Sequence, residues 1–235
     1  MLLDVKNLNT GYDFLQVLWD VSLHVEQGEY VCLVGPNGAG KSTTLKTIAG
    51  LLKPKGGEIL LNGEPIHGLP GNKICRKGIG YISEELNLFT QMSVKENLAM
   101  GAYSIEDKKE KLKNLDFVYQ LFPRLKEREN QLAGTMSGGE RKMLAIGRGI
   151  MFSPSLLLVD EPSLGLAPQL IEAVFNALKV LRETGVTILL VEQNVTKTLQ
   201  MSDRGYVIEK GKIVLQGKSP DLAQNDYVRK VFLGV

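Results

Sequence analysis

Tyr30-Val31-Cys32-Leu33-Val34-Gly35-Pro36-Asn37-Gly38-Ala39-Gly40-Lys41-Ser42-Thr43-Thr44-Leu45 is the stretch on which the fold turns. Its first five residues form an apolar, β-rich run. The next eight satisfy G-x-x-x-x-G-K-[ST]. From Thr43 to Leu52 the residues Leu45, Ile48, Ala49 and Leu52 then recur at helical spacing, and Pro54 forbids further extension. The order is strand, glycine-rich loop, helix. Such a loop turns main-chain N–H groups inward around a phosphate, and the helix start adds positive potential. A lysine at position 41 reaches the β- and γ-phosphates, and the Ser42 hydroxyl suits a magnesium ion. Gly35, Pro36, Asn37, Gly38, Ala39, Gly40, Lys41, Ser42 and Thr43 are therefore candidate residues for holding a nucleoside triphosphate. Upstream, Tyr12 in Gly11-Tyr12-Asp13 is read as a turn residue that either stacks on a base or merely packs.

Working outward, Leu3-Asp4-Val5 and Val21-Ser22-Leu23-His24-Val25 read as strands before the loop, and Glu58–Leu61 and Ile79–Ile82 as strands after it. The character then turns helical from Ser93 to Ile150. Ser93-Val94-Lys95-Glu96 reads as a capping box. A charged amphipathic segment from about residue 105 ends at Pro123, and a second helix starts at Ser137 and runs through Met143, Leu144, Ile146 and Ile150. Strand–helix alternation resumes with Leu156-Leu157-Leu158-Val159, a helix over Pro168–Glu183 stopped by Gly185, and Val186–Val191. A hairpin, Tyr206–Glu209 and Lys212–Leu215, precedes a short C-terminal helix. Unbroken apolar runs suit parallel strands buried on both faces. The expected class is α/β: a mainly parallel sheet, N-terminal antiparallel strands and an inserted α-helical part.

Asp160-Glu161 follows one of those runs, at the carboxyl end of a parallel strand, where open α/β sheets bind ligands. Asp160 can hold a magnesium ion and Glu161 can polarise an attacking water as general base. Ser137-Gly138-Gly139-Glu140 carries two compatible readings. It is a capping box, in which the Ser137 hydroxyl and the Glu140 carboxylate satisfy free N–H groups. A capping box needs no glycine pair, however, so Gly138-Gly139 also reads as a second anion surface.

The composition narrows the classes further. A length of 235 residues fits one large domain or one domain with an inserted subdomain. Twenty-eight Lys and Arg against 26 Asp and Glu leave a net charge of +2 with no concentrated basic stretch, so no nucleic-acid face is expected. The charge-dense run Glu106–Lys113 mixes signs and reads as a solvated helix face. Cys32 and Cys75 are too few and too far apart for a disulfide framework or a zinc cluster, and Cys32 reads as core. His24 and His67 lie outside any ligand spacing. No apolar run approaches the ~18–20 residues needed to cross a bilayer, and no apolar leader opens the chain; the expectation is a protein that neither spans membranes nor is exported.

Together these motifs resemble the ATP-binding subunit of ABC transporters, over essentially the whole chain. Gly35–Ser42 is similar to that family's Walker A loop, Leu156–Asp160 with Glu161 to Walker B and the catalytic glutamate, Ser137–Glu140 to the signature motif, and Ser163-Leu164-Gly165-Leu166 to the D-loop. The resemblance implies a P-loop NTPase (RecA-like) core over residues 1–83 and 154–235, a helical subdomain over 84–153, ATP and Mg²⁺ as ligands, and Tyr12 stacking on adenine. It also implies a head-to-tail dimer with a second ATPase subunit, a paralogue or a copy. Each signature helix there caps the γ-phosphate held by the other's Walker A loop. Transmembrane permease subunits would dock around Glu84–Phe89 and the helical insertion. An external solute-binding protein would act indirectly, and the chain would lie at the cytoplasmic face of the membrane.

Three positions depart from the general pattern. Glu84 stands where most relatives have the Q-loop glutamine, Glu140 replaces the final signature glutamine, and Gln193 occupies the switch-histidine position. Glutamine can bond a γ-phosphate but cannot carry a titrating proton, so Gln193 positions rather than shuttles. Glu84 keeps a metal-facing oxygen and adds a negative charge. With Pro162–Pro168, Val191–Asn194, Phe122–Leu125 and Phe232–Val235, these features look like the branched-chain amino acid import ATPases; urea- and amide-type importers share the look. Glu85-Leu86-Asn87, where relatives often have Gly-Arg-Arg after the glutamate, and Arg141-Lys142, where glutamines are usual, depart from that pattern too.

Overall fold

A computed structural model describes residues 1–233; Gly234 and Val235, part of the Phe232–Val235 similarity, lie outside the described residues. The chain opens with two long strands, β1 (Leu3–Tyr12) and β2 (Leu15–Val25), then β3 (Tyr30–Val34) and α1 (Lys41–Ile48). There follow β4 (Gly56–Leu61), β5 (Glu64–Pro65), α2 (Gly71–Arg76) and β6 (Ile79–Ile82). Four helices come next: α3 (Val94–Gly101), α4 (Lys108–Leu121), α5 (Pro123–Glu127) and α6 (Gly138–Ile150). The chain then runs through β7 (Leu156–Asp160), α7 (Pro168–Glu183), β8 (Thr187–Glu192), α8 (Val195–Met201), β9 (Arg204–Glu209), β10 (Lys212–Lys218), α9 (Ser219–Gln224) and α10 (Asp226–Val228).

Two sheets result. One is antiparallel, in the order β2-β1-β4-β5; the other runs β10-β9-β3-β8-β7-β6 and is parallel except for the β10–β9 hairpin. The expected mixture of parallel core and N-terminal antiparallel strands is therefore present. Alternation across the parallel strands builds the core on both faces. Leu156 and Leu158 of β7 and Leu189 and Val191 of β8 point to the antiparallel sheet and α1. Leu157, Val159, Ile188 and Leu190 point to α3, α4, α6 and α7. With a side-chain period of two, both sets are apolar because both faces are covered.

Local chemistry accounts for most boundaries. Ser93 and Ser137 each cap a helix, with Glu96 and Glu140 returning a bond to the cap N–H at 2.7 and 3.0 Å. Helix α7 begins on Pro168, whose missing N–H costs nothing there. Helix α1 is shorter than its sequence pattern: it ends near Gly50, which turns left-handed (φ 71°), well before Pro54. Tyr12 is not a turn residue. It ends β1 and pairs with Leu15, so the turn is Asp13-Phe14, with Asp13 at φ 45°. The run Glu106–Lys113 is solvated as expected, Cys32 is buried, and among the described residues no helix is long and apolar enough to cross a membrane.

Candidate active site

Parallel register brings the chemistry to one edge of the sheet. Val34 of β3 lies level with Glu192 of β8, and Asp160 of β7 with Val191, so the loops after these strands leave the sheet side by side. Between them lies a cleft of about 540 Å³ lined by Tyr12, Asn37, Gly38, Gly40, Lys41, Ser42, Thr43, Glu84, Glu161 and Gln193, together with Leu15, Val17 and Leu164. Ten of the expected site residues thus converge on one space.

The loop is held by its own lysine. Lys41 is buried, and its ammonium donates to the carbonyls of Gly35 (3.0 Å) and Pro36 (3.3 Å). Ala39 is also buried, and its carbonyl accepts from Gly211 at 2.9 Å, which ties the loop to the β9–β10 hairpin. Gly40 precedes α1 at φ 105°, a conformation in which any side chain is strained; a Cβ there would also meet Leu18 Cδ2 at 2.5 Å.

Glu161 sits at the centre. One carboxylate oxygen lies 3.2 Å from the Lys41 ammonium, and the other accepts a hydrogen bond from the Gln193 amide at 2.7 Å. Its backbone is left-handed at φ 43°, rare for a residue with a side chain. Behind it, Asp160 accepts from the Ser42 hydroxyl (2.8 Å) and from the Tyr81 hydroxyl (2.9 Å). Burial pushes the Asp160 carboxyl above its usual range, against the pull of those two donors. Burial likewise drives the Tyr81 hydroxyl up.

The donor set suits magnesium. Ser42 and Asp160 present hard oxygens to each other, and Glu84 lines the same cleft. Among the described residues no cluster of three or more His, Cys, Asp or Glu forms a self-sufficient metal cage. Magnesium sites are of this sort: one or two carboxylates, with substrate phosphates and water completing the shell.

The four signature residues do not line the cleft. Gly138 faces open space, whereas a Cβ on Gly139 would meet Leu170 Cδ1 at 2.2 Å. Packing against α7 therefore accounts for the second glycine, and only Gly138 keeps the surface open. Glu140 is held by Ser137 and by Arg128 at 3.0 Å, so the charge that replaces glutamine is paired.

Sequence reasoning missed several groups. Tyr81 meets Asp160 across the β6–β7 pair, Lys142 of α6 donates to the Glu161 carbonyl at 3.1 Å, and Glu192 accepts from the N–H groups of Ser163 (2.8 Å) and Gln193 (3.1 Å). Burial lowers the Lys142 ammonium against the opposing field of Glu192, Glu84, Asp160 and Glu161. Arg148 donates to the carbonyls of Leu86 (2.9 Å) and Asn87 (2.7 Å), both left-handed, which fixes the 84–89 loop on α6. The alternation around Tyr81 and the polar residue on the buried stripe of α6 were the available signals.

Comparison with known proteins agrees with this geometry. A family model described as ABC transporter matches residues 18–164. The chain is 48% identical over 233 residues to the high-affinity branched-chain amino acid transport ATP-binding protein BraG of Pseudomonas aeruginosa, covering 99% of this chain and 100% of that one. It is 38% identical over 236 residues to the probable branched-chain amino acid transport ATP-binding protein LivF of Archaeoglobus fulgidus, covering 100% and 99%. A solved ATP binding subunit of an ABC transporter superposes with a TM-score of 0.86 at 31% identity, covering 100% of this chain and 97% of that one.

Proposed function

The chain belongs to the ABC transporter ATP-binding family, and we propose that it is the ATP-hydrolysing subunit powering import of branched-chain amino acids. The observation that carries the hydrolytic reading is the clamp on Glu161, whose two oxygens meet Lys41 and Gln193 at the mouth of the nucleotide cleft. The solute follows from the likeness to BraG over the full chain.

In this reading Tyr12 stacks on adenine, while the loop amides of residues 35–43 and the Lys41 ammonium hold the phosphates. Ser42, Asp160 and Glu84 would hold magnesium, which when bound would supply neutralisation of phosphate charge. A phosphate that takes the Lys41 ammonium releases one oxygen of Glu161, which then accepts the proton of the attacking water; Gln193 orients both. General-base assistance of this kind is worth about 10²–10⁴ in rate. Ser137, Gly138, Gly139 and Glu140 serve the nucleotide of a second ATPase subunit, a paralogue or a copy, in a head-to-tail dimer. Residues 84–153 form the subdomain that meets the permease subunits at the cytoplasmic face of the membrane. An external solute-binding protein signals through those permeases.

The test is to purify the chain with its membrane partners, reconstitute the complex in liposomes, and measure magnesium-dependent ATPase with the solute-binding protein and candidate solutes. Stimulation by leucine, isoleucine or valine is expected. Stimulation by urea or short amides instead would reassign the solute, and a complex without ATPase would reject the hydrolytic reading.

A further inference from the structure

Helix α6 carries a buried cation that hydrolysis, as described above, does not use. Lys142 is 4% exposed, and its ammonium makes one hydrogen bond among the described residues, to the main-chain carbonyl of Glu161 at 3.1 Å. Holding an ammonium in the interior is costly unless its surroundings compensate. Here Glu84, Asp160, Glu161 and Glu192 offset part of that cost, and burial still outweighs them. An apolar residue of the same length would fill this volume without such compensation, so a polar task at the carbonyl is the feature to explain.

That task lies in the Glu161 backbone. A left-handed residue bearing a side chain is disfavoured and persists only where its neighbours over-determine it. Three bonds do so. The Glu161 N–H donates to the Val191 carbonyl of β8 at 2.9 Å, and the Glu161 carbonyl accepts from Lys142 at 3.1 Å and, more weakly, from the Leu164 N–H at 3.3 Å. The first bond anchors the peptide to the sheet, the second to α6, and the third closes the local turn. With all in place the side chain turns into the cleft, between Lys41 and Gln193.

We propose that Lys142 is a positioning residue for ATP hydrolysis, pinning the Glu161 peptide so that its carboxylate faces the nucleotide. The proposal rests on Glu161 acting as the base. Lys142 is in the same helix whose first turn carries Ser137–Glu140, so a shift of α6 along its axis is passed to the base of the same chain through a single ammonium.

A cycle of variants in the purified transporter complex tests this. Lys142→Met keeps the length of the side chain and removes the donor. It should lower kcat about 100-fold, the order expected when a catalytic group is displaced by about 1 Å, with half-saturating ATP changed less than about twofold. In a Glu161→Gln background, which lacks the base, the same change should slow the residual rate by less than about twofold, because two residues acting through one group are non-additive. Lys142→Arg should restore part of the rate. Equal slowing in both backgrounds, or no slowing in the parent, overturns the proposal. Near-parental turnover by Glu161→Gln alone is a different result: it removes Glu161 as base and the positioning role with it. If Lys142→Met does not fold, Lys142→Gln, which ends short of the carbonyl, runs the same cycle.

Discussion

Gly138 and Gly139 are adjacent at the start of α6, yet substitution should affect them in opposite ways. Nothing lies within 4 Å of a Cβ on Gly138, so Gly138→Asp is sterically free. It replaces the poorest helix former but Pro with a slightly better one, a gain of about 0.3 kcal/mol, and adds an acid at the helix start, a further ~0.3–1 kcal/mol. The melting temperature should hold or rise. Turnover should not hold if, as proposed, this surface is offered to the facing subunit's γ-phosphate. Two unit charges about 5 Å apart at an effective dielectric of about 20 repel by about 3 kcal/mol. That is a loss of about 10²-fold in the ATPase of the assembled transporter.

At Gly139 the Cβ would lie 2.2 Å from Leu170 Cδ1, so α6 or Leu170 must retreat by more than 1 Å. Overpacking of this kind costs about 1–3 kcal/mol, and the helix-propensity gain offsets at most about 1 kcal/mol of it. Gly139→Ala should therefore lose about 0–2 kcal/mol, or up to about 8 °C in Tm for a chain of this size. Thermal melts, calorimetry of ATP·Mg²⁺ on the isolated chain, and ATPase of the assembled complex separate the effects. Gly138→Asp hydrolysing at near the parental rate would refute the facing-subunit role, and loss of ATP affinity in the isolated chain would point to folding instead. A Gly139→Ala protein more stable than its parent by about 1 kcal/mol, the full helix-propensity gain, would refute the packing argument.

Tyr12→Ala should weaken ATP binding by about 1–3 kcal/mol, the usual worth of a base–aromatic stack, while Tyr12→Phe retains affinity; calorimetry on the isolated chain decides, and equal loss in both would mean the hydroxyl matters more than the ring. Arg128→Gln exposes the Glu140 charge and should raise half-saturating ATP of the complex up to about tenfold, with Glu140→Gln in the same chain removing most of the penalty. An undiminished penalty in the double variant would count against charge pairing. Burial raises the Glu29 carboxyl, but the Arg204 and Glu26 bonds outweigh it and hold it below its ordinary value of 4.5. A depressed folded value means stability that is fully present above pH 4.5 and lost as the pH falls through the lower, folded value. The stability gap between parent and Arg204→Met should therefore narrow in urea titrations below that pH; a constant gap would argue against the linkage.

Features set by neighbouring residues were legible in the sequence. The phosphate loop, both capping boxes and the full span of α7 depend on local turn and cap chemistry, and each stands where the pattern put it. The strand β1 was read too short because its alternation is broken: Asn7 takes φ 47°, and the register with β2 shifts between Val5 and Leu8. A period-two search cannot follow such a bulge. Helix α8 was missed although Asn194 caps it and Val195, Thr198 and Leu199 are its buried stripe. In the site, the residues carrying a motif were legible, and their supports were not. Tyr81 reaches Asp160 only through the parallel register of β6 and β7, and Lys142 reaches Glu161 only because α6 packs beneath that loop. Both contacts join segments far apart in the chain, and spacing alone carries no information about them.

The level at which the parallel strands end has a consequence for altering this protein. Successive residues of a strand face opposite ways and advance about 3.3 Å, so inserting one residue into β7 would carry Asp160 to the station of Glu161, Val159 to that of Asp160, and Glu161 past both. Strand length is thus a chemical parameter here, as consequential as the identity of the acid, and redesign of the turnover has room only in the segments beyond the last rung of each ladder.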